Sequence, residues 1–276
     1  LGKTDKAIIS FEKAIAIKPD YADAYNNLGN VLKDIGQLDQ AVKSYENAID
    51  LKLDFAEAFN NLGNVLKDLD RLNEAFDYFK KALKIDPKFP EAHNNLGNTL
   101  SYLGQLDDAV DCFETAIKID PNFSEAYNNL GNVLKDLDRL NEAFDCFEKA
   151  IKINPSFSEA HNNFGALLKD FNQLEKARIS IDKAIEINPN FAEAYHNLGN
   201  VFKDLNLLDE SLESYQKAKD LRDDLDYILG NIISTKMNCC NWKSLPALFD
   251  ELSEKIYDNR KVIDQFTLFS LIDDPG

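Results

Sequence analysis

Apolar residues recur along this chain in two alternating helical stripes. Tyr25, Leu28, Gly29 and Leu32 fall at i, i+3, i+4 and i+7, which places them on one face of a helix. A short turn, "IGQL", follows. Leu38, Ala41, Val42, Tyr45, Ala48 and Ile49 then hold the same stripe on a second helix. At the next phase a proline stops the helix: Pro19, Pro87, Pro121, Pro155 and Pro189, with Leu53 in its place once. The whole pattern returns every 34 residues. Gly29, Gly63, Gly97, Gly131, Gly165 and Gly199 mark the first helix. Ala41, Ala75, Ala109, Ala143, Ala177 and Ser211, then Ala48, Ala82, Ala116, Ala150, Ala184 and Ala218, mark the second. Small residues at these points let the paired helices approach, and the large residue at Tyr45 fills the space beyond.

A fixed period of this length predicts an all-α solenoid of helix-turn-helix units. One unit cannot bury its apolar face alone, so neighbours must stack. The expected organisation is a half unit, second helix only, over 1–21, six units over 22–225, and a helical capping segment over 226–276. In that last segment the period fades, and new apolar patterns predict helices near 225–237, 245–257 and 265–272. Ser244 would cap the second of these, with Pro246 in its first turn. The units are close copies: Asn60–Pro87 and Asn128–Pro155 differ at four of 28 positions.

The polar side of the first helix is the unusual one. On a wheel of 100° per residue, Asp23, Asn26, Asn27, Asn30, Lys33 and Asp34 gather opposite the apolar stripe. Stacking turns them into rows. The first is Asn27, Asn61, Asn95, Asn129, Asn163 and Asn197. The second is Asn30, Asn64, Asn98, Asn132 and Asn200, broken by Ala166. The third is Asn26, Asn60, Asn94, Asn128 and Asn162, with His196 in the last place. Each Asn costs a helix up to ~0.7 kcal/mol relative to Ala, so another contribution must offset it. An amide side chain both donates and accepts, so a ladder of amides can hold an extended peptide backbone without reading its side chains. The other reading leaves some of these asparagines bonded to the next repeat, or simply solvated. Replacing Asn95, Asn129 and Asn163 by Ala is expected to weaken peptide binding and leave folding intact. Lys67, Lys135 and Lys169 border the same face, each followed by Asp, and are expected to tune its charge preference.

Composition narrows the function. Apolar residues make up 44% of the 276 residues, enough for a substantial core, and the net charge is −17. That charge repels a phosphate backbone and an anionic membrane surface, and no apolar run reaches the ~18 residues a span requires. The four cysteines form no C-x-x-C pair. Cys112 and Cys146 lie at equivalent points of neighbouring units, roughly 9–10 Å apart on packed helices, too far for a disulfide. Reduced thiols in a cytoplasmic compartment are the expectation. The start, "LGKTDKA", reads as the interior of a longer chain, whose apolar half unit would promote contacts between copies. There is no Gly-rich phosphate loop, no metal spacing among the three histidines and no nucleophile constellation, so neither catalysis nor a cofactor is expected within these residues. His93 and His161 stand in the aromatic position of Tyr25, and His196 stands in an Asn position of the polar face.

The Leu-Gly pair, the Ala, aromatic and Ala positions and the Pro together resemble the tetratricopeptide repeat. The resemblance implies a right-handed superhelix whose first helices line a concave groove, where extended peptides or protein segments bind. The asparagine before each Leu-Gly pair further resembles the repeat arm of O-GlcNAc transferases and SPINDLY-like glycosyltransferases. That resemblance implies backbone contacts by the Asn27 row, and a catalytic region beyond Gly276. Cys240-Asn241-Trp242 resembles the junction to that region. Chaperone-binding relatives use a basic clamp, and here the matching positions are acidic (Asp23, Glu57, Glu91, Glu125, Glu159, Glu193). The expected function is therefore a peptide-holding arm of such a glycosyltransferase; the alternative is a free-standing adaptor.

Overall fold

The computed structural model describes residues 2–225, 227–239 and 245–257. These form fifteen α-helices and no strand. The chain divides into two compact units, residues 1–143 and 144–276. The first holds α1 (Gly2–Ile17), α2 (Ala22–Asp34), α3 (Leu38–Leu51), α4 (Ala56–Asp68), α5 (Leu72–Ile85), α6 (Pro90–Tyr102), α7 (Leu106–Ile119) and α8 (Ser124–Asp136). Helix α9 (Leu140–Ile153) begins in the first unit, and most of it belongs to the second. The second unit continues with α10 (Ser158–Asp170), α11 (Leu174–Ile187), α12 (Ala192–Asp204), α13 (Leu208–Leu221), α14 (Ile228–Asn238) and α15 (Leu245–Tyr257).

In the first unit α2 pairs with α3, α4 with α5 and α6 with α7, and each pair packs on the next. The first helices also touch in series, α2 on α4, α4 on α6 and α6 on α8. In the second unit α10 pairs with α11 and α12 with α13; α14 then packs on α13, and α15 on α14.

Two turn chemistries set this layout. Between the helices of a pair, one residue takes a left-handed conformation: Gly36 at φ 75° and Gly104 at φ 76°, but Asp70 and Asp138 at φ 59°. Asp tolerates that region because its short polar side chain interacts locally. The turn satisfies carbonyls at the helix end, with Gly36 N–H donating to Lys33 O and Gln37 N–H to Leu32 O, both at 2.9 Å. Between pairs, a side-chain turn replaces it. Asp86 Oδ1 accepts from Lys88 N–H and Asp120 Oδ1 from Asn122 N–H, both at 2.9 Å.

The glycine of each first helix is a packing position. A Cβ on Gly63 would stand 2.7 Å from the Phe79 ring, and one on Gly29 would stand 2.6 Å from that of Tyr45. Both rings are fully buried, each contributing about 1.5–3 kcal/mol of burial. The tail follows the same logic less regularly. The helix expected from residue 225 begins at Ile228, because Tyr227 adopts a left-handed φ of 60°. Leu229 and Ile233 of α14 bury against Leu245 and Leu252 of α15, and Lys219 Nζ pairs with Glu251 at 2.7 Å. Ser244, the Cys240-Asn241-Trp242 motif and the expected helix over 265–272 lie outside the described residues. No helix among the described residues is long and apolar enough to cross a membrane.

Candidate functional site

The first helices carry four-point stripes on one face. On α6 the stripe is Glu91, Asn95, Asn98 and Tyr102, at i, i+4, i+7 and i+11. The equivalents are Asp23, Asn27, Asn30 and Asp34 on α2, Glu57, Asn61, Asn64 and Asp68 on α4, and Glu125, Asn129, Asn132 and Asp136 on α8. In the second unit they are Glu159, Asn163, Ala166 and Asp170 on α10, and Glu193, Asn197, Asn200 and Asp204 on α12. Two amides therefore lie between two acids in most steps.

The third asparagine row does not share this face, and here the sequence expectation is corrected. Asn26 is 2% exposed and Asn94 7%, and Asn60, Asn128 and Asn162 are equally buried. They stand on the flank of the first helix that meets the next repeat. There they accept hydrogen bonds from the first row. Asn61 Nδ2 donates to Asn26 Oδ1, Asn95 to Asn60 and Asn129 to Asn94, each at 3.0 Å. In the second unit Asn197 Nδ2 donates to Asn162 Oδ1 at 2.9 Å. The adjacent asparagines thus form an inter-repeat amide ladder. Helical geometry explains the split: at 100° per residue, Asn26 and Asn27 differ enough for one to turn to the neighbour and the other to the open face.

Four partners of these rows, Glu57, Tyr45, Tyr215 and Asn231, were not legible as such. Asn26 Nδ2 also donates to Glu57 Oε1 at 3.0 Å. Tyr45 donates its hydroxyl to Asn30 Oδ1, and Tyr215 to Asn200 Oδ1, both at 2.7 Å. Burial raises the pKa of both phenols, so they stay protonated donors. The ladder's last step joins Asn231 Nδ2 to His196 Nε2 at 2.8 Å. Burial lowers the pKa of His196, which favours the neutral ring that can accept this bond. Asn231 lies 34 residues after Asn197, a signal the fading of the other repeat positions hid. His93 and His161 each meet a proline carbonyl, of Pro87 and Pro155, at 3.1 Å.

The second row differs from step to step. Asn30 and Asn200 are held by tyrosines, and Asn30 also accepts from Asn61 at 3.2 Å. Beside Asn64 and Asn98 the corresponding partners are Phe79 and Phe113, which carry no hydroxyl. The half-buried amides of Asn64, Asn98 and Asn132 make no hydrogen bond among the described residues. Of the lysines, Lys169 Nζ pairs with Asp204 Oδ2, one repeat on, at 3.3 Å. Lys67 and Lys135 are half-buried, and Lys67 forms no ion pair among the described residues.

A separate cleft of about 660 Å³ opens in the second unit among α9, α10 and α11. Phe144, Ile151, Phe164, Leu168 and Ile179 line it. His161 and Ser180 stand where the repeat three units earlier has the packed rings of Phe59 and Tyr78, centroids 6.1 Å apart. Ser180 Oγ donates instead to His161 O at 2.8 Å.

Family models for the tetratricopeptide repeat match residues 56–89, 90–123, 124–157, 146–179 and 192–225, and a TPR repeat model matches 1–36, 29–70 and 167–206. No curated protein matches the chain. Among solved structures, it is similar to YrrB, described as a TPR protein with an unusual peptide-binding site. The identity is 31% over 67% of this chain and 96% of that one, with a TM-score of 0.51. It is similar to MamA at 27% identity, over 59% of this chain and 95% of that one, with a TM-score of 0.51. Likeness to the APC/C hetero-tetramer Cut9–Hcn1 is one of fold alone: 18% identity, 89% and 48% coverage, TM-score 0.72.

Proposed function

The chain belongs to the tetratricopeptide repeat family, and from that premise we propose that it is a protein-binding module which holds extended peptide on the face of its first helices. The observation that carries this reading is the row of unengaged amides, Asn64, Asn98 and Asn132. Each lies one helical turn from a ladder amide whose orientation is fixed by the preceding repeat. A donor and an acceptor on a half-buried amide with no partner among the described residues match the C=O and N–H of a peptide unit. Extended chain advances about 3.3 Å per residue and stacked helices about 10 Å. One peptide unit in three therefore meets each step.

The first row supports the same reading in part. Beyond the ladder bond Asn95 keeps a carbonyl oxygen and one N–H, Asn61 keeps its oxygen, since both N–H groups are engaged, and Asn129 keeps one N–H, its oxygen accepting from Asn128. Of the two finer readings, the ladder favours a free-standing adaptor, because it gives these asparagines a role that needs no enzyme. The other reading, in which the face delivers acceptor peptide to an O-GlcNAc-transferase-like region, rests on the resemblance of the Asn27 row. Sugar transfer from a nucleotide-sugar donor by the full natural protein would separate them.

The binding test is a selection of 12-residue peptides on immobilised protein, followed by fluorescence anisotropy of the enriched peptides. The triple variant Asn64→Ala, Asn98→Ala, Asn132→Ala should bind at least about tenfold more weakly while its unfolding midpoint holds or rises. Equal binding by the triple variant would overturn the reading.

A further inference from the structure

The α6 step of this face departs from its neighbours in a way that assigns it a chemical preference. The stripes of α2, α4 and α8 end in Asp34, Asp68 and Asp136; that of α6 ends in Tyr102, which is 73% exposed. The adjacent position is Lys33, Lys67 and Lys135 elsewhere, and Ser101 here. Ser101 turns its hydroxyl to its own helix, donating to Gly97 O at 3.0 Å.

The pair of changes has a consequence for the neighbouring helices. In the second unit a lysine of this register reaches the aspartate one repeat on, as Lys169 does Asp204 at 3.3 Å. At α6 that register is broken on both sides. In the same 35-residue register, the position that answers Lys67 of α4 is Tyr102 rather than an aspartate, and the position that answers Asp136 of α8 is Ser101 rather than a lysine. Neither Lys67 nor Asp136 has an ion-pair partner among the described residues. An exposed ring thus lies in a column of carboxylates, Asp68 on one side and Asp136 on the other, with the free amide of Asn98 one turn below it on the same helix.

We infer that Tyr102, Asp136 and Asn98 form a side-chain-reading site for an arginine in the bound extended peptide. The inference rests on the peptide-binding reading above. Asn98 engages the peptide backbone, the guanidinium stacks on the Tyr102 ring, and its N–H groups donate to the Asp136 carboxylate. A planar guanidinium can stack and donate at once, which an ammonium does less well. Acidic residues outnumber lysines on the four stripes of the first unit, and the chain carries a net −17; both favour a cationic ligand. Lys67 is the opposing charge, so its removal must strengthen binding if the ligand residue is a cation.

Three fluorescein-labelled 12-residue peptides test this, sharing one neutral Ser/Thr/Val sequence and differing only in a central Arg, Lys or Glu. Anisotropy titrations would use the whole chain. The Arg peptide should bind about 3–10-fold tighter than the Glu peptide. Tyr102→Ala should erase most of that ratio, Tyr102→Phe should restore it, and Lys67→Ala should raise affinity for the Arg peptide. Tyr102 is exposed, so none of these changes disturbs the core. If the Glu peptide binds as tightly as the Arg peptide, or Tyr102→Ala leaves the ratio unchanged, the inference falls. If all three bind alike and Asn98→Ala weakens all three, it falls alone and backbone binding stands. If none binds, both readings fall.

Discussion

Asn95 and Asn98 offer a direct measurement of what the amide ladder contributes. Both lie on α6, both are half-buried asparagines, and they are one turn apart. Replacing either by Ala improves helix propensity by the same amount, up to ~0.7 kcal/mol. That gain cancels in the comparison. Asn95 Nδ2 donates at 3.0 Å to Asn60 Oδ1, and Asn60 is 5% exposed. Asn95→Ala therefore leaves a buried acceptor without its donor, a loss of about 1–3 kcal/mol. Asn98 makes no such bond. Asn98→Ala should be neutral to slightly stabilising, and Asn95→Ala destabilising by about 0.3–2.3 kcal/mol after the propensity gain. Urea unfolding followed by circular dichroism reads both as midpoint shifts, at a slope shared with the parent. The cycle with Asn60→Ala then isolates the pair, and a coupling near 1 kcal/mol is expected for a contact of this kind. Equal shifts for the two single variants would refute the ladder as a source of stability. The comparison also revises the expectation that replacing Asn95 leaves folding untouched, because that side chain is part of the joint between repeats.

Gly63→Ala would drive a Cβ to 2.7 Å from the fully buried Phe79 ring, and overpacking of this sort costs about 1–3 kcal/mol, read as a lower thermal midpoint. Tyr45→Phe removes the 2.7 Å bond to Asn30; it should cost about 0.5–1.5 kcal/mol, read as a lower urea midpoint, while Asn30 stays engaged through Asn61. His196 has a pKa lowered by burial, so the unfolded chain binds its proton first. Stability should therefore hold above the ordinary imidazole range near ~6.5 and fall as pH drops below it. His196→Asn should flatten that fall in a pH series of urea midpoints; His161, lowered by burial as well, supplies what remains.

Much of the fold could be read from the 34-residue period because each marker residue has one local cause. Gly63 is small because Phe79 lies on it, and the stops follow from proline stereochemistry. Turn conformations were less legible. Gly36 announces a left-handed residue, but Asp70 and Asp138 hold the same conformation without a glycine. The tail was read with one boundary displaced, since nothing in the local sequence signals the left-handed Tyr227. On the polar face, a helical wheel separates buried from exposed only where the neighbour's position is known. Asn26 and Asn27 are chemically identical and adjacent, so composition could not tell that one is enclosed and the other open.

That division answers why two asparagines are kept side by side in a helix they do not favour. A buried Leu at the Asn26 position would pack the joint between repeats but orient nothing. A buried amide accepts from the neighbour's amide and so fixes that side chain's rotamer on the open face. The propensity cost of the pair, up to ~1.4 kcal/mol per repeat on the same scale, is of the order that one satisfied amide bond returns in the folded state. The ladder is then close to neutral for stability, and its net effect is orientation: Asn61 presents an oxygen, Asn129 an N–H and Asn95 both, in fixed directions beside Asn64, Asn98 and Asn132. A ligand backbone meeting pre-set groups loses less side-chain entropy on binding than one meeting free rotors. The same reasoning predicts where the face should bind least: at α10, where Ala166 replaces the second-row amide and no pre-set pair exists.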